Sequence, residues 1–216
     1  GSKAIFAGGL ILPLGSTDVV DIYDSLTDTW TTDVLSINRA LLGGASVGHE
    51  ALFAGGIDLA TFTAIDVVDI YDDAIGTPYC SPATPNSTGL SASITAQGFP
   101  GSAAQGYALL SVSDLPSQSF GYFLTSSTQG FTANPAGSQG NLCLAGALGR
   151  YVGPGQVQNS GRSGTFGLTL DLANHPQPTG AVSVQPGQTW NFQAWYRDVN
   201  PTTTSNFTDA VSVTFL

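Results

Sequence analysis

The heptapeptide DVVDIYD stands at Asp18–Asp24 and returns letter for letter at Asp66–Asp72, 48 positions later. Upstream of it, AIFAGG at Ala4–Gly9 is answered by ALFAGG at Ala51–Gly56, 47 positions later, so one inserted residue accounts for the difference. Even the lead-in agrees, GSK at Gly1–Lys3 against GHE at Gly48–Glu50. A period of this length marks a repeat architecture, in which each copy is one supersecondary unit that buries its core against neighbours. The first run reads as a short apolar strand closed by a Gly-Gly pair, where the backbone turns without a Cβ penalty. The second run alternates. Val19, Asp21 and Tyr23 fall on one side of a strand, Asp18, Val20, Ile22 and Asp24 on the other. In the first copy a polar turn, SLTDTW, then leads to Trp30.

This order of strand, Gly-Gly, variable loop, V-D-I-Y-D and T-x-T-W resembles the Kelch repeat over residues 1–75. The resemblance implies that each repeat is a four-stranded blade of a β-propeller, with Tyr23, Trp30 and Tyr71 packing between blades. Two departures matter. The chain opens at what would be the second strand of a blade, and the second copy has Tyr71 but no following tryptophan. The expected content is strands two to four of one blade and one to three of the next. Closure takes at least about four blades, so either preceding repeats are absent here or sheet edges are completed by other chains.

Charged residues make up 9% of the 216 and apolar residues 42%, against about 25% charged in ordinary globular domains. The surface is therefore built from Ser, Thr, Asn, Gln and Gly, as expected of a protein that works outside the cell or packs against its own copies. Residues 1–80 hold eleven acids against Lys3 and Arg39, a net −9, whereas residues 81–216 hold four acids against three arginines, a net −1. That step points to two domains. The acidic balance argues against nucleic acid, which needs a basic footprint. No stretch approaches the ~18 apolar residues of a membrane span, and no signal peptide is recognisable. With no methionine at all, the chain reads as a processed product or a segment of something longer. Cys80 and Cys143 predict one disulfide made in an oxidising compartment; two buried free thiols are the alternative that the sequence leaves open.

Residues 1–76 are thus expected to hold two incomplete Kelch-like repeats, residues 77–90 a linker and the start of a second domain, and residues 91–216 a β-sandwich. Short β-patterned runs near 91–97, 106–113, 119–125, 141–148, 164–172, 181–184, 188–197 and 209–215 have the turn-rich spacing of that fold. Phe166, Leu168, Leu170 and Leu172 share one face, as do Val211, Val213 and Phe215, and no segment has a helical period. The stretches YCSPATPNSTG, FGYFLTSSTQGF, GSQGNLCLAGALGRYVGPGQ, TWNFQAWYRD and NFTDAVSVTF resemble C-terminal regions of large secreted bacterial proteins. That resemblance implies an extracellular accessory or attachment module.

Catalytic signals are weak. GASVG around Ser46 matches a nucleophile elbow formally, but that chemistry needs a strand-to-helix turn with His and acid partners, and the segment reads as a repeat strand. His49 and His175, the two histidines, sit in different domains without Cys or carboxylate at ligand spacing, which argues against zinc or copper. Asp198, Asn200 and Asp209, with Asp69, Asp72 and Asp73, are the oxygen-rich sets in which calcium would be sought; solvated turn acids are the ordinary explanation. In Thr189–Arg197, alternation puts Trp190, Phe192, Ala194 and Tyr196 on one face and Asn191, Gln193, Trp195 and Arg197 on the other. Trp195 with Gln193 and Arg197 is a candidate sugar-stacking or subunit-contact platform, packing of Trp195 under a loop being the plainer reading. Asn86 and Asn206 head formal glycosylation sequons.

The sequence thus predicts an all-β protein, partial Kelch-type blades plus a disulfide-closed antiparallel β-sandwich. The function expected is a non-catalytic structural or adhesive module of a secreted bacterial protein or cell surface, needing no cofactor unless calcium. Its partners would be its own copies, another extracellular protein or a glycan, with no nucleic acid and no membrane insertion. The alternatives are a carbohydrate-binding accessory domain and a fragment of a secreted propeller enzyme.

Overall fold

The computed structural model describes residues 3–13, 15–25, 28–47, 50–99 and 106–216. The chain is all-β, 56% strand with almost no helix, and every strand pairing among the described residues is antiparallel. It divides into two compact units, Gly1–Asp73 and Ala74–Leu216.

In the first unit, β1 (Lys3–Ile11), β2 (Gly15–Asp24) and β3 (Thr29–Val34) make one three-stranded sheet. A second consists of β4 (Gly43–Val47) and β5 (Glu50–Ala54), joined after the small hairpin β6 (Ile57–Asp58) and β7 (Thr63–Ala64) by β8 (Val68–Asp72). The repeat is carried through to register. Ile5 faces Ile22 and Phe6 faces Asp21 in the first sheet; Leu52 faces Ile70 and Phe53 faces Asp69 in the second. The Gly-Gly pairs end β1's and β5's shared motif with positive φ throughout, 63° and 142° at Gly8 and Gly9, 65° and 104° at Gly55 and Gly56. They also admit the chain that joins the sheets: a Cβ on Gly8 would lie 2.5 Å from the Arg39 carbonyl oxygen, and one on Gly56 2.7 Å from that of Ala40. Val20, Ile22 and Leu35 form the buried centre, with Ile5, Ala7, Leu42, Phe53 and Tyr71 packed against it. No closed propeller forms among the described residues.

The second unit contains β9 (Thr77–Tyr79), β10 (Ser93–Phe99), β11 (Tyr107–Ser113), β12 (Phe120–Ser126), β13 (Thr128–Ala133), β14 (Asn141–Ala145), β15 (Gly149–Arg150), β16 (Gln158–Asn159), β17 (Phe166–Thr169), β18 (Thr189–Val199) and β19 (Thr203–Thr214). A three-stranded sheet runs β10-β11-β17, and a six-stranded one runs β15-β12-β18-β19-β9 with β16 also on β12. Their inner faces meet in one core: Ile94, Ala96, Leu110, Val112 and Phe166 from the first, Phe123, Trp190, Phe192, Tyr196, Val211 and Val213 from the second. This is the packing of two sheets across alternating side chains. On the outer face of the six-stranded sheet, Leu124, Leu144 and Phe207 form a second cluster with Tyr122, Leu142, Leu148 and Trp195, so the β13–β14 hairpin covers part of that face. The Cys80–Cys143 disulfide, with Cα atoms 6.4 Å apart, joins β14 to the residue following β9.

Local departures from the expected strands have physical causes. The run TQGFTA is mostly polar and exposed, so nothing in its pattern announces β13; pairing with β14 makes it a strand. Residues 181–184 contribute only an isolated bridge, Val182 to His175. Residues 141–148 end at Ala145 and a separate two-residue strand follows. The first residues of the segment read as a linker form β9, which pairs with β19 at the sheet edge.

Candidate functional site

Each sheet of the first unit has two unlike faces, and the register assigns their residues. The aliphatic face of the first sheet carries Ile5, Ala7, Val20 and Ile22; the opposite, aromatic face carries Phe6, Val19, Tyr23 and Trp30. By the repeat, Leu52, Ala54, Val68 and Ile70 form the aliphatic face of the second sheet, and Phe53 and Tyr71 belong to its aromatic face. Inside the unit, the aliphatic face of the first sheet packs on the aromatic face of the second. Lys3 tops this contact, its Nζ 5.6 Å from the centroid of the Tyr71 ring and donating to the Tyr71 hydroxyl at 3.3 Å. The two other faces are open. Val20 and Ile22 are each 4% exposed, whereas their repeat mates Val68 and Ile70 are 51% and 58% exposed. On the aromatic side Phe6 is 58% and Trp30 61% exposed. Trp30 lies 5.1 Å from Tyr23 and 6.0 Å from Phe6, ring centre to ring centre, so these rings form one aromatic patch, with exposed Asp21 beside Phe6 on the same face.

Sequence reading passed over the polar anchor of this unit. Arg39 is fully enclosed, and its Nη2 lies 2.7 Å from Asp69 Oδ2 and donates to the Phe53 carbonyl at 3.0 Å. Asp69 Oδ2 also accepts from the Ser36 N–H at 3.2 Å and hydroxyl at 3.1 Å. Burial works to raise the Asp69 pKa, but the Ser36 hydrogen bonds and the Arg39 charge outweigh it and hold the carboxyl below its usual value. The available signal was that Arg39 is the one arginine in the first 80 residues; its partner, thirty positions away, was not legible.

In the second unit the proposed platform does not assemble on the surface. Gln193 is buried, and its amide accepts from the Cys143 N–H at 2.9 Å and donates to the carbonyls of Asn141 and Thr208 at 2.9 and 2.7 Å. Trp195 is half-buried against Tyr122, ring centroids 5.1 Å apart. Only Arg197 of the three is exposed. For the calcium candidates, no three His, Cys, Asp or Glu side chains among the described residues are grouped so as to hold a metal ion. Buried Asp198 accepts the Ser87 and Val199 N–H groups. Asp209 accepts the Ile94 N–H at 2.8 Å, with burial raising its pKa; Asn200 is exposed. Both sequon asparagines are buried, Asn86 donating to the Asp114 carbonyl and Asn206 to that of Thr84. Ser46 sits in β4, which leads into another strand rather than a helix. His49 lies outside the described residues.

His175 is enclosed between β12 and the aromatic core. Its Nε2 is 2.8 Å from Thr125 Oγ1, its Nδ1 2.9 Å from the Tyr151 hydroxyl, and the Trp190 ring centre is 4.1 Å away. Burial pushes its pKa down to about 4 from 6.5. The unfolded chain therefore takes up a proton here that the folded chain resists. The contribution is complete above pH 6.5, declines as pH falls, and levels off below about 4; the span corresponds to about 3 kcal/mol. Urea titrations of the second unit should show this decline between pH 6.5 and 4, and His175→Gln should flatten it. An unchanged slope in that variant would place the pH dependence elsewhere.

These features define an all-β protein whose second unit is a disulfide-fastened sandwich and whose first unit presents two open apolar sheet faces. No family model matches the chain, and no curated protein or solved structure matches it either.

Proposed function

We propose that this is a non-catalytic extracellular module, a structural or adhesive part of a larger secreted bacterial protein, which works by associating through its first unit. In this reading the first unit is a pair of incomplete Kelch-type blades. The observation that supports it is the exposure of Phe6, Trp30, Val68 and Ile70 on the two outer sheet faces. Contiguous apolar patches of this kind are uncommon on monomeric soluble proteins and mark interaction sites. The disulfide favours an oxidising compartment, and the uncharged polar remainder of the surface suits an extracellular setting. No helix among the described residues is long and apolar enough to cross a membrane. Light scattering on the purified chain, with negative-stain imaging of the same sample, tests the reading. Rings, filaments or small oligomers are expected; a monomer at every concentration would remove self-association from the proposal.

A further inference from the structure

Resting on that reading, we propose that the occupant of the open aliphatic face is the aromatic face of a second copy of this chain, docked head to tail. The internal contact supplies the template. Aliphatic Ile5, Val20 and Ile22 already pack against aromatic Phe53 and Tyr71. The faces left open are the same two kinds in exchanged places: Leu52, Val68 and Ile70 on one sheet, Phe6, Tyr23 and Trp30 on the other. Phe6 and Tyr23 match Phe53 and Tyr71, and Leu52, Val68 and Ile70 match Ile5, Val20 and Ile22, in the same register. At these positions the open faces therefore repeat a pair that fits; Trp30, on β3, adds a further ring to the open aromatic face. They cannot meet within one chain, because the stacking of the two sheets turns them away from each other. A contact between unlike faces leaves one of each kind free at the ends, so it propagates, closing into a ring or extending as a filament according to the rotation per copy.

Two differences between the repeats tune the contact. Asp21, the mate of Asp69, stands beside Phe6 on the open aromatic face, whereas Arg39, the one arginine of the first 80 residues, serves Asp69. The other difference is at the rim. Lys3, which caps the internal interface over Tyr71, corresponds to Glu50 in the second copy of the repeat. Between chains Glu50 would approach Tyr23, whose hydroxyl donates to Asp28 at 3.0 Å, and the two carboxylates repel. Association should therefore strengthen as salt rises, since screening shortens the reach of such charges from about 10 Å at 0.1 M to about 3 Å at 1 M.

The test uses two variants of the full chain, each altering an exposed side chain so that the fold is left intact, with circular dichroism as the check. Ile70→Lys blocks the aliphatic face and Trp30→Ser the aromatic one. Wild-type protein at high salt is expected to exceed the protomer mass, each variant alone to be monomeric, and their equimolar mixture to reach twice the protomer mass and stop. A variant that still dimerises alone shows like-with-like pairing and overturns the head-to-tail inference. Wild-type association that neither variant disturbs also overturns it while leaving the self-association reading in place. A wild-type monomer under all conditions overturns both.

Discussion

Asp69→Asn is expected to destabilise the first unit by about 3 kcal/mol, the low end of what breaking a buried ion pair costs. The side chains keep their shape, and the new amide oxygen still accepts from Arg39 Nη2. What disappears is the counter-charge to a guanidinium with no exposed surface, while the carboxylate itself is 23% exposed, which is why the low end applies. A unit whose fully buried apolar centre is Val20, Ile22 and Leu35 has little stability to spare, given that whole domains keep about 5–15 kcal/mol. Hydrogen exchange resolved by segment should show faster exchange through β1–β5 and β8, with the second unit unchanged. Because the damage comes from the stranded cation, Arg39→Met combined with Asp69→Asn should be less destabilised than Asp69→Asn alone, and the double-mutant cycle should give a coupling well above 0.5 kcal/mol. Additive effects would mean that Asp69 matters through Ser36 instead.

The legibility of this fold differed sharply between its parts, and the reasons are local. The repeat was readable because DVVDIYD and A-[IL]-F-A-G-G stand in both copies, and the structure adds that both pair in the same register. Alternation also separated the two faces of each strand correctly in the second unit, where Trp190, Phe192, Ala194 and Tyr196 all turn inward. What alternation cannot give is what covers the opposite face. Gln193 looks like a surface amide beside Trp195 until the β13–β14 hairpin folds over that side and draws the amide into backbone hydrogen bonding. The hairpin itself was only half visible, since β13 has a polar, glycine-containing sequence whose strand character comes from its partner. Arg39 and His175 were hidden for another reason. A single polar residue carries no periodic signal, and both take their roles from partners brought close by tertiary packing, Asp69 in one case, Thr125 and Tyr151 in the other.

Opening the disulfide should be the costliest change in the second unit. Cys80 and Cys143 are 63 positions apart, and on the chain-entropy account a loop of that length lowers the freedom of the unfolded chain by about 4 kcal/mol at 25 °C. The bond also has a structural task that the loop length does not express. It fastens β14, the inner strand of a two-stranded hairpin, to the edge of the six-stranded sheet, and isolated hairpins of this size are marginal in water. Two other attachments remain after its removal: the Gln193 amide on the Cys143 N–H and Asn141 carbonyl, and the contacts of Leu142 and Leu144 with Trp195, Tyr122 and Phe207. The hairpin of a Cys80→Ala/Cys143→Ala variant should therefore stay docked at neutral pH while the unit unfolds at a lower urea concentration and with a steeper dependence on it, because the unlinked chain exposes more surface when unfolded. Should the midpoint fall by the equivalent of less than about 1 kcal/mol, the unfolded state must already be held compact across those 63 positions. If instead β13 and β14 lose protection while the two main sheets keep theirs, the disulfide acts chiefly as the clasp of the hairpin, and the covering of Trp195 and Gln193 depends on it.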